Sequence, residues 1–209
     1  LTALRMQLAS LRLLLDSGRE GEVREGLGHV EGLLERMAAL TSHLKTFARK
    51  SPAGLQQHLA LADVLEQALQ LLSPRIRSEQ VEVFRQVPAE ARVNGDAIRL
   101  EQVLINLLHN ALDAMAERPQ RRLRILCERA GDAWQLSVAD NGGGIPGEQL
   151  DQVFEPFFTT KPVGQGLGLG LAVSYGIVRD MGGTLEVSND EQGAVFTLTL
   201  SAAEAHAAE

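Results

Sequence analysis

The spacing of apolar residues in the first fifty positions leaves little choice of local structure. Leucine stands at Leu1, Leu4, Leu8, Leu11 and Leu15, and a second series runs Val30, Leu33, Met37, Leu40, Leu44 and Phe47. Both series step three, four, three, four, the roughly 3.5-residue seam of helices packed side by side, where a strand would alternate every second residue. Two helices are predicted, joined near Gly18-Arg19-Glu20-Gly21, where glycine weakens the helix and supplies a turn. A hairpin with one apolar seam per helix does not bury it well alone, so pairing with a second copy into a four-helix bundle, and hence a homodimer, is expected. The other reading of the same pattern is a coiled-coil spacer without chemistry. The second helix spans about residues 22–48 while the first offers about 17, leaving about ten residues, ~15 Å of helix, without a partner. Their partner segment is expected upstream of Leu1. The seam stops at Ser51-Pro52-Ala53-Gly54, a cluster of helix breakers, so residues 1–50 form one domain and 51–54 the linker.

Beyond the linker the pattern becomes mixed. Helices are predicted at about 61–78, 96–117 and 168–180, and strands at about 81–87, 122–129, 133–139, 184–188 and 194–200. They interleave without a strict βαβ repeat. The expected fold class is α+β: the helical hairpin, then a two-layer α/β sandwich over residues 55–200, then a frayed or disordered Ala-rich tail at 201–209. With 209 residues, 44% of them hydrophobic and 22% charged, the chain can bury such a core and is neither disordered nor fibrous. A formal charge of −7 argues against a reader of phosphate backbones, so no nucleic-acid partner is expected. The single cysteine, Cys127, rules out an intramolecular disulfide and a multi-cysteine metal site and suits a reducing, cytoplasmic setting. No apolar run approaches the about 18 residues of a membrane span, so no membrane contact by this chain is expected. It opens at Leu1 without a signal-peptide pattern and reads as a fragment of something longer.

Three motifs carry chemistry. The helix at 96–117 is apolar over most of its surface, yet Gln102, Asn106, Asn110 and Asp113 recur at spacings of four, four and three, which stacks them on one stripe. Amides inside a core need partners. Either they bond to neighbouring backbone or water, or the stripe faces a cavity holding a cation or polyanion, since amide oxygens are hard ligands suited to Mg²⁺. Next comes Asp140-Asn141-Gly142-Gly143-Gly144-Ile145-Pro146-Gly147 after a predicted strand. Its G-x-G-x-x-G spacing invites a dinucleotide-binding reading. Pro146 removes an amide donor and no long helix follows the third glycine, so that reading fails. An Asp at a strand end before flexible glycines presents one carboxylate to a ligand's edge while the backbone comes close, unless the glycines form a plain turn.

The third motif is Phe154-Glu155-Pro156-Phe157-Phe158-Thr159-Thr160-Lys161, followed by Gly164, Gly166, Leu167, Gly168, Leu169 and Gly170. Eight of the 20 glycines lie between 142 and 170, and three of the six phenylalanines between 154 and 158, which implies a mobile, ligand-covering loop hinged on an aromatic anchor. The glycine run leads into a helix, whose free N–H groups bind phosphate oxygens. Lys161 either contacts the terminal phosphates or faces solvent, and no P-loop pattern occurs.

In this order the motifs resemble the N, G1, F and G2 boxes of the histidine-kinase catalytic domain, whose Bergerat (GHKL) fold is shared with gyrase and MutL. The resemblance covers about residues 55–200, and the front hairpin resembles that family's dimerisation and phosphotransfer domain. The Phe47-Ala48-Arg49-Lys50 ending and the Phe157-Phe158-Thr159-Thr160-Lys161 box look most like the nitrogen-regulation and C4-dicarboxylate sensor kinases. By resemblance, ATP and Mg²⁺ are the cofactors and a response-regulator receiver domain is the partner. Asp140 would accept the adenine amino group, with Gly142, Gly144 and Ile145 lining the base pocket. Asn110 would hold Mg²⁺ with Asn106 beside it, and Thr197 would reach the adenine region. Gly164, Gly166, Leu167, Gly168, Leu169 and Gly170 would wrap the triphosphate, with Lys161 approaching the γ-phosphate.

In gyrase-like relatives the position matching Asn106 resembles a Glu that activates water. An amide accepts no proton at neutral pH, so efficient hydrolysis is not expected and the γ-phosphate is kept for another acceptor, a histidine. Catalytic weight falls on Asn106 and Lys161. A Bergerat ATPase or an inert nucleotide-binding dimeric module is the alternative. The family's H box, His-Glu-x-Asn-x-Pro-Leu, is absent; if Leu1-Thr2-Ala3 resembles its tail, its His would lie six positions before Leu1. His29, His43, His58, His109 and His206 read as surface or structural residues, so this chain is expected to bind Mg-ATP without autophosphorylating.

Overall fold

The computed structural model describes residues 57–161 and 167–203, together with Leu15, Gly21, Val23, Gly26 and Leu27. Those five are helical, including Gly21, which the sequence puts in a turn. The rest of the predicted hairpin, like Gly164 and Gly166, lies outside the described residues. The chain divides into two compact units, Leu1–Lys50 with Thr159–Leu167, and Ser51–Phe158 with Gly168–Glu209. All regular elements of known extent belong to the second. They run β1 (Gln57–Ala60), α1 (Leu61–Ser78), β2 (Val81–Gln86), β3 (Arg92–Gly95), α2 (Ala97–Ala114), β4 (Arg121–Ala130), β5 (Ala133–Asp140), a 3-10 turn (Gly147–Gln149), α3 (Gly170–Asp180), β6 (Thr184–Asn189) and β7 (Ala194–Ser201).

Five strands form one sheet in the order β2-β4-β5-β7-β6, parallel between β2 and β4 and antiparallel elsewhere. Alternation assigns its two faces. Leu123, Ile125 and Cys127 pair with Asp140, Val138 and Leu136, and Val138 and Leu136 pair with Phe196 and Leu198; all are buried in the core with the helices' leucines. Arg122, Arg124, Glu128 and Gln135 point the other way and are exposed. The result is a helix layer on one sheet face, the expected sandwich.

α2 is the central core helix. Leu100, Val103, Leu104, Leu107, Leu108 and Leu112 are fully buried, and the helix starts where Asp96 Oδ1 accepts from the N–H groups of Ile98 and Arg99 at 3.0 and 3.2 Å. α1 packs beside it, and Arg121 ties their ends: Nη1 donates to Glu79 O and Nε to Met115 O, the carbonyls of the two helix C-caps.

Two features escape the sequence reading. β1 and β3 form a separate antiparallel pair. Each is four residues, too short for alternation to show. The tail expected to fray from Ser201 does not begin there, because Ser201 ends β7, Ala202 bridges to Val93 and Ala203 N–H donates to Arg92 O at 2.8 Å. Residues 204–209 lie outside the described residues.

Candidate nucleotide site

Buried polar residues are the informative exceptions in a core, and among the described residues they are Asp140, 4% exposed, and Ser174, fully buried. Both adjoin the predicted motifs. Asn106 on α2 donates through Nδ2 to Gly170 O at 3.2 Å and to Ser174 Oγ at 3.1 Å, joining α2 to the first turn of α3. This is the backbone partner that the structural reading of the stripe asks for, and it leaves Asn106 Oδ1 as an acceptor. Two turns on, Ala114 touches the glycine loop: a Cβ built at Gly142 would lie 2.7 Å from both the Cβ and the carbonyl oxygen of Ala114. Asn106, Asn110 and Ala114 recur every fourth residue and share one face. Half-buried Asn110 therefore sits one turn from the contact with α3 and one turn from the contact with the glycine loop. Its side chain makes no hydrogen bond among the described residues.

Asp113 leaves that set. Its carboxylate faces α1, 2.7 Å from Arg75 Nη2 and 3.4 Å from His109 Nδ1, because three residues beyond Asn110 the helix has turned toward its neighbour.

Asp140 ends β5 on the core face, and its Oδ1 accepts from Gly142 N–H at 2.8 Å. Burial pushes its carboxyl pKa up, against the pull of the Gly142 and Ala194 N–H groups. Gly193 is forced by closeness, since a Cβ there would collide with the Asp140 carbonyl. Gly143 and Gly144 have φ of 103° and 80°, conformations that disfavour side chains. At Gly147 begins a 3-10 turn of only three residues, Gly147–Gln149, which supports rejection of the dinucleotide motif.

The aromatic anchor is Phe154, whose ring lies 5.2 Å from Tyr175 on α3 and 6.5 Å from Phe196 on β7. Phe157 is held at φ 70° with its N–H donating to Gly168 O at 2.9 Å, and Gly168, at φ 63°, leaves no room for a Cβ against Phe158 O. α3 then begins at Gly170 after Leu169, with no side-chain cap, so its first N–H groups stay available. Lys161, whose N–H donates to Thr159 Oγ1 at 3.2 Å, and Leu167 belong to the other unit.

Thr197 needs correction. It pairs with Ser137, while Phe196 and Val138 share the core face with Asp140, so Thr197 lies on the opposite face. Alternation along β7 puts Ala194 beside Asp140 instead. Sequence reasoning also missed Ser174. Its signal was a serine four residues after Gly170, set among Leu171, Val173, Ile177 and Val178.

Comparison with known proteins fits this geometry. The family model described as histidine kinase-, DNA gyrase B-, and HSP90-like ATPase matches residues 95–204. The C4-dicarboxylate transport sensor protein DctB of Pseudomonas aeruginosa is 41% identical over 206 residues, 96% of this chain and 33% of DctB. Among solved structures, the catalytic domain of histidine kinase ThkA superposes with TM-score 0.65 at 32% identity, covering 71% of this chain and 97% of that one. Full-length ShkA in complex with AMPPNP gives 0.67 at 25% identity, covering 97% of this chain and 44% of ShkA. The chain spans about a third of the length of DctB. Among the described residues, no helix is long and apolar enough to cross a membrane.

Proposed function

The chain belongs to the histidine kinase-, DNA gyrase B- and HSP90-like ATPase family, with the sensor histidine kinases, and on that premise we propose that it is a kinase's catalytic ATP-binding portion. The whole protein transfers the ATP γ-phosphate to a histidine and onward to a response-regulator aspartate. The domain assignment is the hairpin at 1–50 as dimerisation and phosphotransfer element, and 55–200 as catalytic domain. The carrying observation is the stripe Asn106-Asn110-Ala114, whose ends touch the glycine-led helix α3 and the Asp140 loop.

In this reading Asp140 accepts from the adenine amino group, and Gly142, Gly144 and Ile145 wall the base. Gly168, Leu169 and the start of α3 at Gly170 donate N–H groups to the triphosphate, while the assignment of Gly164, Gly166, Leu167 and Lys161 to the triphosphate rests on the family resemblance. Asn110, with Asn106 beside it, holds Mg²⁺. The donor set fits: a half-buried amide oxygen is a hard ligand, and no group of three or more His, Cys, Asp or Glu among the described residues competes for the ion. When bound, Mg²⁺ neutralises charge on the β- and γ-phosphates. The protein's share is placement, since phosphoryl transfer asks little covalent work of it. Asn106 already donates to Gly170 O and accepts no proton, which disfavours the hydrolytic alternative.

The parent is a membrane-anchored sensor with this portion in the cytoplasm, homodimeric through the hairpin. Calorimetric titration with Mg-ATP tests the site: Asn110→Ala and Asp140→Asn each weaken binding about tenfold or more. Unchanged affinity in both overturns the assignment. Lacking the H box, this chain gains no acid-labile, alkali-stable phosphate when incubated with ATP, and its appearance would refute that part.

A further inference from the structure

The loop after β5 carries the base-pocket residues but has no regular structure, so something else must fix its path. At its near end Asn141 Nδ2 donates to Gln120 O and its Oδ1 accepts from Arg122 N–H, both at 2.9 Å. At its far end, where the Ile145 side chain packs against the core, one side chain holds the main chain. Asn189, the last residue of β6, accepts from Ile145 N–H through Oδ1 at 2.9 Å and donates through Nδ2 to Ile145 O at 2.7 Å. Both main-chain polar groups of Ile145 are thus held by one carboxamide. Gly144 makes room for it, since a Cβ there would lie 2.8 Å from Asn189 Oδ1.

Asn189 is presented from a stiff platform. In the turn that follows, Asp190 Oδ1 accepts from the N–H groups of Gln192 and Gly193 at 2.8 and 3.0 Å, and its Oδ2 pairs with Arg124 at 2.6 Å. The same turn braces the loop again through Gly143 N–H to Gln192 O at 3.2 Å.

We propose that Asn189 is a positioning residue for nucleotide binding, its carboxamide clamping the Ile145 main chain so that the loop keeps the path that encloses the base. The inference rests on the adenine reading of the Asp140 loop. A carboxamide is needed because it offers donor and acceptor together, whereas Asp accepts but does not donate and Ala does neither.

The test compares Asn189→Ala, Asn189→Asp and Asp140→Asn in the 209-residue chain, reading calorimetric Kd for ATP and GTP beside the thermal midpoint. Asn189→Ala weakens ATP about 5- to 20-fold and erodes the preference over GTP, with the midpoint nearly unmoved. Asn189→Asp, keeping one of the two bonds, falls between Ala and the parent. Unchanged ATP affinity in Asn189→Ala while Asp140→Asn loses binding overturns the clamp and leaves the nucleotide site standing. Unchanged affinity in both overturns the site reading itself. Equal losses for ATP and GTP with a large fall in midpoint reduce Asn189 to a fold-stabilising role and also overturn the proposal.

Discussion

At the scale of single residues the sharpest consequences belong to Asp140. Its carboxyl pKa is raised, chiefly by burial, above an ordinary value of 3.8. The folded state therefore holds this proton more tightly than the unfolded chain. Its stabilising contribution is fully present below the unfolded value and is lost as pH rises through the folded one. In the proposed site nucleotide binding runs the other way, because there the adenine amino group bonds best to the ionised carboxylate. ATP affinity should fall on acidification through the raised value, and Asp140→Asn should flatten that dependence. Calorimetry from about pH 8 to about pH 4 checks both. Gly142 gives a steric counterpart. A methyl there meets Ala114 at 2.7 Å, whereas at Gly147 it meets nothing within 4 Å. Gly142→Ala should cost about 1–3 kcal/mol in urea unfolding, and Gly147→Ala less than about 0.5. Asp140 and the asparagine stripe were legible because polar types stand out in an apolar sequence. Thr197 was not, because its face depends on register with Ser137, which no local pattern encodes.

Among elements, legibility followed length. α1 and α2, of 18 residues each, show their apolar period plainly, while β1 offers a single buried residue and β3 only Val93 and Gly95. What joins such elements is not periodic either. Arg121 looks like one of several arginines in the 118–129 stretch, yet it donates to Met115 O at 3.0 Å and to Glu79 O and Ala116 O at 2.7 Å each. These carbonyls lie at the C-terminal ends of α1 and α2, where the helices leave acceptors unmatched. Arg121→Ala should lower unfolding free energy by about 1.5–3 kcal/mol, as loss of hydrogen bonds to a charged donor does. Arg121→Lys should restore less than half, since one ammonium does not reproduce a planar fork spanning two helix ends. Full rescue by Lys in denaturant melts would show that charge alone, not the fork, matters there.

For the whole molecule the sequence carried the order of the boxes, while the fold supplied their convergence: α2 spans the distance from α3 to the Asp140 loop, with Asn110 between the two contacts. A site assembled from elements so far apart in the chain exists only when its unit is folded, so nucleotide must stabilise that unit by mass action. Mg-ATP at 100 times its Kd should add about 2.7 kcal/mol. In a unit of this size that is a rise in melting temperature of roughly 5–10 °C. The chain holds its own reporter, because its single tryptophan, Trp134, is 5% exposed near the start of β5 in this unit. Tryptophan fluorescence therefore follows the catalytic unit alone, whatever the first unit does on heating. Chelating the cation with EDTA at fixed ATP should remove most of the rise, and Asn110→Ala should mimic chelation. If the shift persists undiminished in EDTA, the ATP contacts do not run through Mg²⁺ and Asn110 loses its assigned role, while Asp140 and the base pocket remain.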